Sequence, residues 1–187
     1  MKKIAIFASG AGSNAQKIIE HFRNSSFAKV SLIVCTNPVA GVLKIASGEN
    51  IPVLLLEKKK FNESGYVNEF KNYGIEFIAL AGFLWKLPEV LIEFFPGKII
   101  NIHPALLPAY GGRGMYGNVI HNAVINSKEK QSGITIHYVD EKYDHGKIIL
   151  QVTCTVTDDD TAESLAQKVH VLEHKYYPTE IEKILRH

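Results

Sequence analysis

Short apolar runs alternate along the chain with stretches whose apolar residues recur at helical spacing. The run IAIFA at 4–8 is typical of a buried strand, and Ala15, Ile18, Ile19 and Phe22 follow it at the i, i+3, i+4, i+7 positions of one helix face. Further strands are predicted by apolar runs at 31–35, 52–56, 77–81 and 98–103. Strand–helix alternation of this kind predicts βαβ units and a mostly parallel sheet.

The last part of the chain has a different pattern. GITIHYV at 133–139 and KIILQVTCTV at 147–156 are two strands separated by a short turn, which indicates an antiparallel hairpin. The sequence DDDTAES, with Asp160 and Glu163, is typical of the capped start of a final long helix. The predicted fold class is therefore α/β, a three-layer, Rossmann-like arrangement of a twisted, mostly parallel sheet with a hairpin near its C-terminal part.

Two local details complete the predicted secondary structure. Ser13-x-x-Gln16 has the pattern of a capping box at the start of the first helix. A polar helix is expected from Glu63 to Tyr73. Because 187 residues match one domain of ordinary size, a single domain over 1–187 is expected.

Composition excludes several classes of protein. Hydrophobic residues make up 46% and charged residues 21%, as in a globular protein, and a net charge of +2 does not favour nucleic acid as a partner. Cys35 and Cys154 show neither metal-ligand spacing nor a disulfide framework. The apolar run in MKKIAIFASG is too short for a signal peptide, and none reaches the ~20 residues of a membrane span. We therefore expect a cytoplasmic protein without membrane contact or bound metal.

The turn SGAGSN joins the first strand to the first helix. Gly10 and Gly12 allow a tight turn and close approach of a ligand, while the helix N-terminus offers free N–H groups, an arrangement that suits a phosphate. A dinucleotide fingerprint is disfavoured, because position 15 is Ala and the second strand is followed by Asn37 instead of an acid. A tight turn without a ligand remains the alternative.

The segment NIHPALLPAYGGRGMYG at 101–117 ends a predicted strand with polar side chains. Asn101 and His103 are two residues apart and so share a face, and Pro104 ends the strand. Asp144, in the turn between the last two strands, can project over the same rim. An amide, an imidazole and a carboxylate together suit acyl-group transfer. The amide and a charged histidine would stabilise an oxyanion, and the aspartate would raise the pKa of the histidine.

The motifs AGF (81–83), NIHPALLP (101–108) and D-x-G (144–146), in this order after SGAGSN, resemble the folate-dependent formyltransferases over almost the whole chain. The resemblance implies transfer of the formyl group of 10-formyltetrahydrofolate to an amine. The tail LEHKYYP (172–178) is similar to the branch that uses glycinamide ribonucleotide, in purine biosynthesis. It further implies a monomer or homodimer whose only partners are these small molecules.

The resemblance also assigns roles to individual residues. It implies Asn101, His103 and Asp144 as catalytic residues, with support from Thr135 and His137. The implied ribonucleotide-binding residues are Gly12, Ser13 and Asn14 for the phosphate, and Glu173 with His170 for the ribose. The implied folate-binding residues are Leu84, Trp85, Lys86, Leu87, Asn101, Val139, Asp140 and Glu141.

Two segments depart from the family pattern. Many relatives carry an arginine soon after AGF, whereas Trp85 follows Leu84 here, and it either packs on the folate or belongs to the core. The loop 111–117 is glycine-rich where relatives often have proline, and Arg113 either reaches an anion or is solvated. An amino-sugar nucleotide remains an alternative acceptor, while a non-catalytic nucleotide-binding module would not need the Asn101, His103 and Asp144 set.

Overall fold

The structure is a computed structural model that describes all residues from Met1 to His187. The strands are β1 Lys2–Phe7, β2 Ala28–Cys35, β3 Val53–Leu55, β4 Phe77–Leu80, β5 Ile99–His103, β6 Gln131–Tyr138 and β7 Ile148–Thr155. The helices are α1 Ser13–Phe22, α2 Val42–Gly48, α3 Lys58–Ser64, α4 Val67–Tyr73, α5 Glu89–Phe94, α6 Asn118–Asn126 and α7 Ala162–Arg186.

The strands form one sheet in the order β3-β2-β1-β4-β5-β6-β7. β1 pairs in parallel with β2 and β4, β2 pairs in parallel with β3, and β6 and β7 are antiparallel. The predicted α/β class, the mostly parallel sheet and the late hairpin are confirmed. By its contacts the backbone divides into two compact units, Met1–Ile100 with Pro178–His187, and Asn101–Tyr177.

The first unit has its core on the parallel strands. Residues 4–8 are fully buried, as are the last four residues of β2. The α1 face predicted from the apolar spacing is the buried one, since Ala15, Ile18, Ile19 and Phe22 are all inside. Burial of aliphatic side chains on this scale is the main force that holds a strand–helix layer together.

The polar helix expected from Glu63 to Tyr73 is wrong as a single element. It is two helices, α3 and α4, separated by Gly65 and Tyr66, which both have left-handed backbone conformations (φ 57° and 55°). Two such residues cannot continue a right-handed helix. The break lets the Tyr66 side chain turn inward, where its hydroxyl accepts a hydrogen bond from the Glu57 N–H at 3.0 Å.

The capping box expected at α1 is also wrong. The N-cap is Gly12 (φ 87°), which makes no side-chain cap bond, and the Gln16 side chain instead donates to Glu20 at 3.0 Å. The packing of α2 explains this turn, because a Cβ atom on Gly12 would lie 2.8 Å from the Cβ of Val42. Glycine is therefore required at this position for close approach and for backbone conformation alike.

In the second unit, β6 and β7 pair closely. The helix α7 begins with a reciprocal cap. The Thr161 N–H donates to Ser164 Oγ at 3.0 Å and the Ser164 N–H donates to Thr161 Oγ1 at 3.2 Å. Asp160 supports this start, as expected, by accepting a hydrogen bond from Ser164 Oγ at 2.7 Å. The long helix continues through Pro178.

Candidate active site

The end of β5 places an amide and an imidazole beside a carboxylate, all within the second unit. Asn101 is half-buried, His103 is 3% exposed, and Asp144 projects from the turn after β6. Asn101 Nδ2 donates to Asp144 Oδ1 at 3.4 Å, and His103 Nδ1 lies 3.6 Å from the same oxygen. The structure thus brings together the three residues that the sequence singled out.

His137, on β6, completes this cluster, and its hydrogen bonds define its tautomer. Its Nδ1 lies 2.8 Å from the Tyr138 carbonyl, which can only accept, so Nδ1 carries a proton. In the neutral ring Nε2 is then an acceptor, and Asn101 Nδ2 donates to it at 3.1 Å. The two amide hydrogens of Asn101 are therefore directed at His137 and Asp144.

His103 is held in a similar way by a backbone carbonyl. Its Nε2–H donates to the Tyr110 carbonyl at 2.8 Å, which leaves Nδ1 facing Asp144. Burial lowers the pKa of His103, and this outweighs the Asp144 charge and the Tyr110 bond, which both raise it. The carboxylate raises the pKa of His103 as expected, but the net pKa is lowered because desolvation dominates.

Asp144 occupies a constrained position in the turn. Its φ is 52°, in the left-handed region, and its Oδ2 accepts a hydrogen bond from the Gly112 N–H at 3.0 Å. Burial tends to raise the pKa of Asp144, but the His137 imidazole, the His103 charge and the Gly112 N–H together lower it. Gly111 packs tightly here, since a Cβ on it would lie 2.6 Å from Leu107 Cδ2. Part of the glycine-rich loop therefore serves to hold the aspartate.

A buried hydroxyl fixes the segment that follows β5. Thr135 Oγ1, fully buried on β6, donates to the Ala105 carbonyl at 2.7 Å and accepts from the Leu107 N–H at 3.0 Å. Gln151 Nε2 on β7 donates to the Leu107 carbonyl at 2.8 Å and to Thr135 Oγ1 at 2.9 Å. We call Thr135 and Gln151 the clamp. It ties residues 105–107 to the hairpin.

A second group of ionisable side chains lies on α6 and α7 in the same unit. Glu173 is 4% exposed, and its Oε2 lies 2.8 Å from Nδ1 of His170, whose ring stacks on that of His174. The hydrogen bond to Glu173 raises the pKa of His170. The Glu173 charge also acts on the pKa values of His103 and of the buried His121.

The first unit carries the other sequence-predicted site residues. Ser13 is exposed and begins α1, while Gly12 and Asn14 are half-buried beside it. Leu84 and Lys86 are exposed, and Leu87 is buried. Trp85 is half-buried with its ring centroid 5.9 Å from Phe61, within an aromatic group that also includes Phe83.

The hairpin turn contains the remaining predicted folate residues, in the second unit. Val139 and Asp140 are half-buried and Glu141 is exposed. Asp140 accepts hydrogen bonds from the Lys142 N–H at 2.8 Å and from His145 Nδ1 at 2.7 Å, so its carboxylate organises the turn. Arg113, in the glycine loop, is exposed.

Several side chains of this region were missed in the sequence. His121 lies in the helix NVIHNAVIN, where a polar residue among others gives no distinct signal. A signal did exist for Gln151, because it is polar within the otherwise apolar run IILQV. Gly112 acts through its N–H and Tyr110 through its carbonyl, and a sequence carries no direct signal for backbone groups.

The structure contains no group of His, Cys, Asp and Glu side chains arranged to hold a metal ion. Both cysteines are free thiols; Cys35 is buried and Cys154 is half-buried on β7. Among the helices, none is both long and apolar enough to cross a membrane.

A family model described as formyl transferase matches residues 2–181. The chain belongs to the formyl transferase family. The AGF and NIHPALLP segments and the Asp144 turn, by which the sequence resembles the folate-dependent members, all lie inside the matched residues.

Named relatives of this formyl transferase cover nearly the whole chain. It is 39% identical over 191 residues to phosphoribosylglycinamide formyltransferase of Bacillus subtilis, with 99% of this chain and 95% of the relative covered. It is 43% identical to the chloroplastic phosphoribosylglycinamide formyltransferase of Arabidopsis thaliana, where 94% of this chain spans 63% of the relative's length. The crystal structure of the Bacillus halodurans phosphoribosylglycinamide formyltransferase superposes with a TM-score of 0.89 at 36% identity, covering 98% and 95% of the two chains.

Proposed function

We propose that this protein transfers the formyl group of 10-formyltetrahydrofolate to the amine of glycinamide ribonucleotide, a step of purine biosynthesis. Relatives that span almost the same length are named for this activity. The observation that carries the proposal is the cluster at the end of β5, where Asn101, His103 and His137 surround the Asp144 carboxylate within 3.7 Å of its Oδ1. Amide donors and imidazoles at one carboxylate suit attack on an acyl carbon.

The first step is attack of the substrate amine on the formyl carbon. The carbonyl electrons move to its oxygen, and the resulting oxyanion needs hydrogen-bond donors. Both amide hydrogens of Asn101 are in use, but the hydrogen bond to Asp144 is long at 3.4 Å, whereas that to His137 is 3.1 Å. Asn101 can therefore redirect its hydrogen bond from Asp144 to the oxyanion at a lower free-energy cost than its hydrogen bond to His137.

The second step is collapse of the tetrahedral intermediate. The attacking nitrogen loses a proton, the bond from the formyl carbon to the folate nitrogen breaks, and that nitrogen gains a proton. His103 has an unprotonated Nδ1 beside Asp144, so a proton that arrives there forms an ion pair with the carboxylate. Protonated in this way, His103 stabilises the oxyanion. Water near Asp144 carries the proton from the amine.

The remaining residues of the site bind and orient the two substrates. Gly12, Ser13 and Asn14 hold the ribonucleotide phosphate at the start of α1, where N–H groups favour an anion. Glu173 and His170 contact the ribose. The folate is bound by residues of two loops, namely Leu84, Trp85, Lys86, Leu87, Val139, Asp140 and Glu141. We infer one functional domain over 1–187, acting in the cytoplasm as a monomer or homodimer.

A spectroscopic folate assay tests this function. Purified protein is mixed with 10-formyltetrahydrofolate, with and without glycinamide ribonucleotide, and deformylation is expected only when the ribonucleotide is present. Asn101→Ala should lower kcat by about 10²–10³ with little change in either KM, because it removes a donor used mainly in the transition state. Folding of the variant is checked by circular dichroism.

Two results would count against the assignment. Deformylation without the ribonucleotide would indicate a hydrolase, and a folded Asn101→Ala variant with near-normal kcat would remove the oxyanion role. Asn122→Ala is a matched control, since Asn122 is an exposed asparagine that donates only to the Asn118 carbonyl within α6.

A further inference from the structure

His121 is a buried polar side chain that the proposed mechanism does not use. It lies on α6 between Ile120 and Val124, it is 3% exposed, and its Nδ1 has no hydrogen-bond partner. Buried side-chain nitrogens without a partner are uncommon in folded proteins, because each has lost its water without replacement. The position therefore calls for a partner that the protein itself does not supply.

Electrostatic effects link His121 to residues of the proposed site. The charges of His170 and Glu173 act on His121, and the Glu173 charge also acts on the catalytic His103. Glu173 is itself buried, with its carboxylate held by His170 at 2.8 Å. One carboxylate is thus within electrostatic range of both His103 and His121.

The chemistry of this pair favours a hydroxyl-bearing ligand. Burial and the His170 charge lower the pKa of His121, so its ring is uncharged. An uncharged imidazole offers little attraction to a phosphate, and the Glu173 charge that acts on it would repel one. A hydroxyl both donates and accepts hydrogen bonds, and so it matches the imidazole and the carboxylate equally well.

We propose that His121 is a binding residue for the ribose of the ribonucleotide, whose vicinal diol places one hydroxyl on His121 Nδ1 and the other on Glu173. The inference rests on the proposed function and adds a residue to its substrate site. It assigns to His121 recognition of the sugar alone, without a part in formyl transfer.

The test compares His121→Leu with the wild type in direct binding of glycinamide ribonucleotide, measured by calorimetry in the absence of folate. Loss of one hydrogen bond of ordinary strength should weaken binding by about tenfold. The KM for 10-formyltetrahydrofolate should stay unchanged. Ile120→Val, a mild change at the neighbouring buried position, is the matched control and should leave the Kd of the ribonucleotide as it is.

Deoxyribose analogues of the ribonucleotide identify the group that His121 contacts. The wild type should bind one of the 2′-deoxy and 3′-deoxy analogues about tenfold more weakly, and His121→Leu should show no such penalty for the same analogue. An equal loss for the parent ribonucleotide and for both analogues would overturn the contact with a hydroxyl. Unchanged binding by a folded His121→Leu would overturn the role of His121 altogether.

A stability measurement separates these outcomes from misfolding. His121→Leu should unfold at or above the wild-type temperature, because it replaces an unpartnered buried polar group by an apolar one. His121→Met is a second variant of flexible shape, to be used if leucine does not fit. A wild-type protein that neither binds nor formylates the ribonucleotide would overturn the proposed function itself, which is a different result from tight binding that is insensitive to His121.

Discussion

Replacement of Thr135 by valine tests whether the clamp supports the catalytic strand. Valine has nearly the same shape, so the change removes the hydroxyl with little effect on packing. That hydroxyl serves the Ala105 carbonyl, the Leu107 N–H and Gln151 Nε2, at 2.7, 3.0 and 2.9 Å, in a fully buried position. The Leu107 N–H and the Ala105 carbonyl would lose this partner. At about 1–3 kcal/mol for each of these two buried groups left unsatisfied, the expected loss of stability is about 2–6 kcal/mol.

Denaturant unfolding of Thr135→Val and Thr135→Ser measures this loss. For a chain of this size the same loss corresponds to a fall in Tm of roughly 4–24 °C. Serine keeps the hydroxyl and should retain most of the stability. The kcat of Thr135→Val should be lower than that of the wild type, and the kcat of Thr135→Ser should be close to it. The reason is that residues 105–107 follow shortly after His103. Equal unfolding free energies for the two variants would refute the reasoning, because the hydrogen bonds of the hydroxyl would then contribute nothing to stability.

Two further predictions concern close packing and acid stability. Gly133→Ala should lower the unfolding temperature severely, because its Cβ would lie 1.9 Å from the Val152 carbonyl oxygen. Gly48→Ala should be tolerated, because the space around its Cβ is open. Thermal melts of the two variants measure the difference, and equal unfolding temperatures would contradict the prediction. The pKa of Asp144 lies below its ordinary 3.8, so its contribution to stability is present above that pH and is lost as the pH falls through the folded-state pKa. Unfolding free energies of the wild type should therefore decline more steeply below pH 3.8 than those of Asp144→Asn, and parallel acid limbs would count against this.

The strands and most helices of this fold could be predicted from sequence because burial imposes a simple period. The α1 face of Ala15, Ile18, Ile19 and Phe22 and the hairpin β6–β7 are where the pattern placed them. The errors arose where tertiary contacts override local signals. Tyr66 breaks the expected 63–73 helix to bury its ring, and Gly12 takes the N-cap because α2 packs against it.

The reactive side chains of the candidate site could be predicted from sequence. The backbone groups that orient them, and the burial that shifts their pKa values, could not. Asn101, His103 and Asp144 could be singled out, since an amide, an imidazole and a carboxylate stand out after apolar strands. The lowered pKa of His103 could not be foreseen, because it depends on how deeply the ring is buried. The tautomers depend on the carbonyls of Tyr110 and Tyr138, which any residue type would supply.

Those two carbonyls set the protonation pattern of the whole cluster. Each accepts a hydrogen bond from an N–H of one histidine, so in the corresponding tautomers the other imidazole nitrogens are acceptors that face Asn101 and Asp144. The cluster is therefore rich in acceptors, and the hydrogen bonds donated into it come from the Asn101 amide and the Gly112 N–H. An acyl-transfer reaction releases a proton from the attacking amine just as an oxyanion forms. In the proposed reaction the acceptor-rich cluster takes up that proton at His103, beside the Asp144 charge. His103 would then stabilise the oxyanion only at the stage where the transition state requires it.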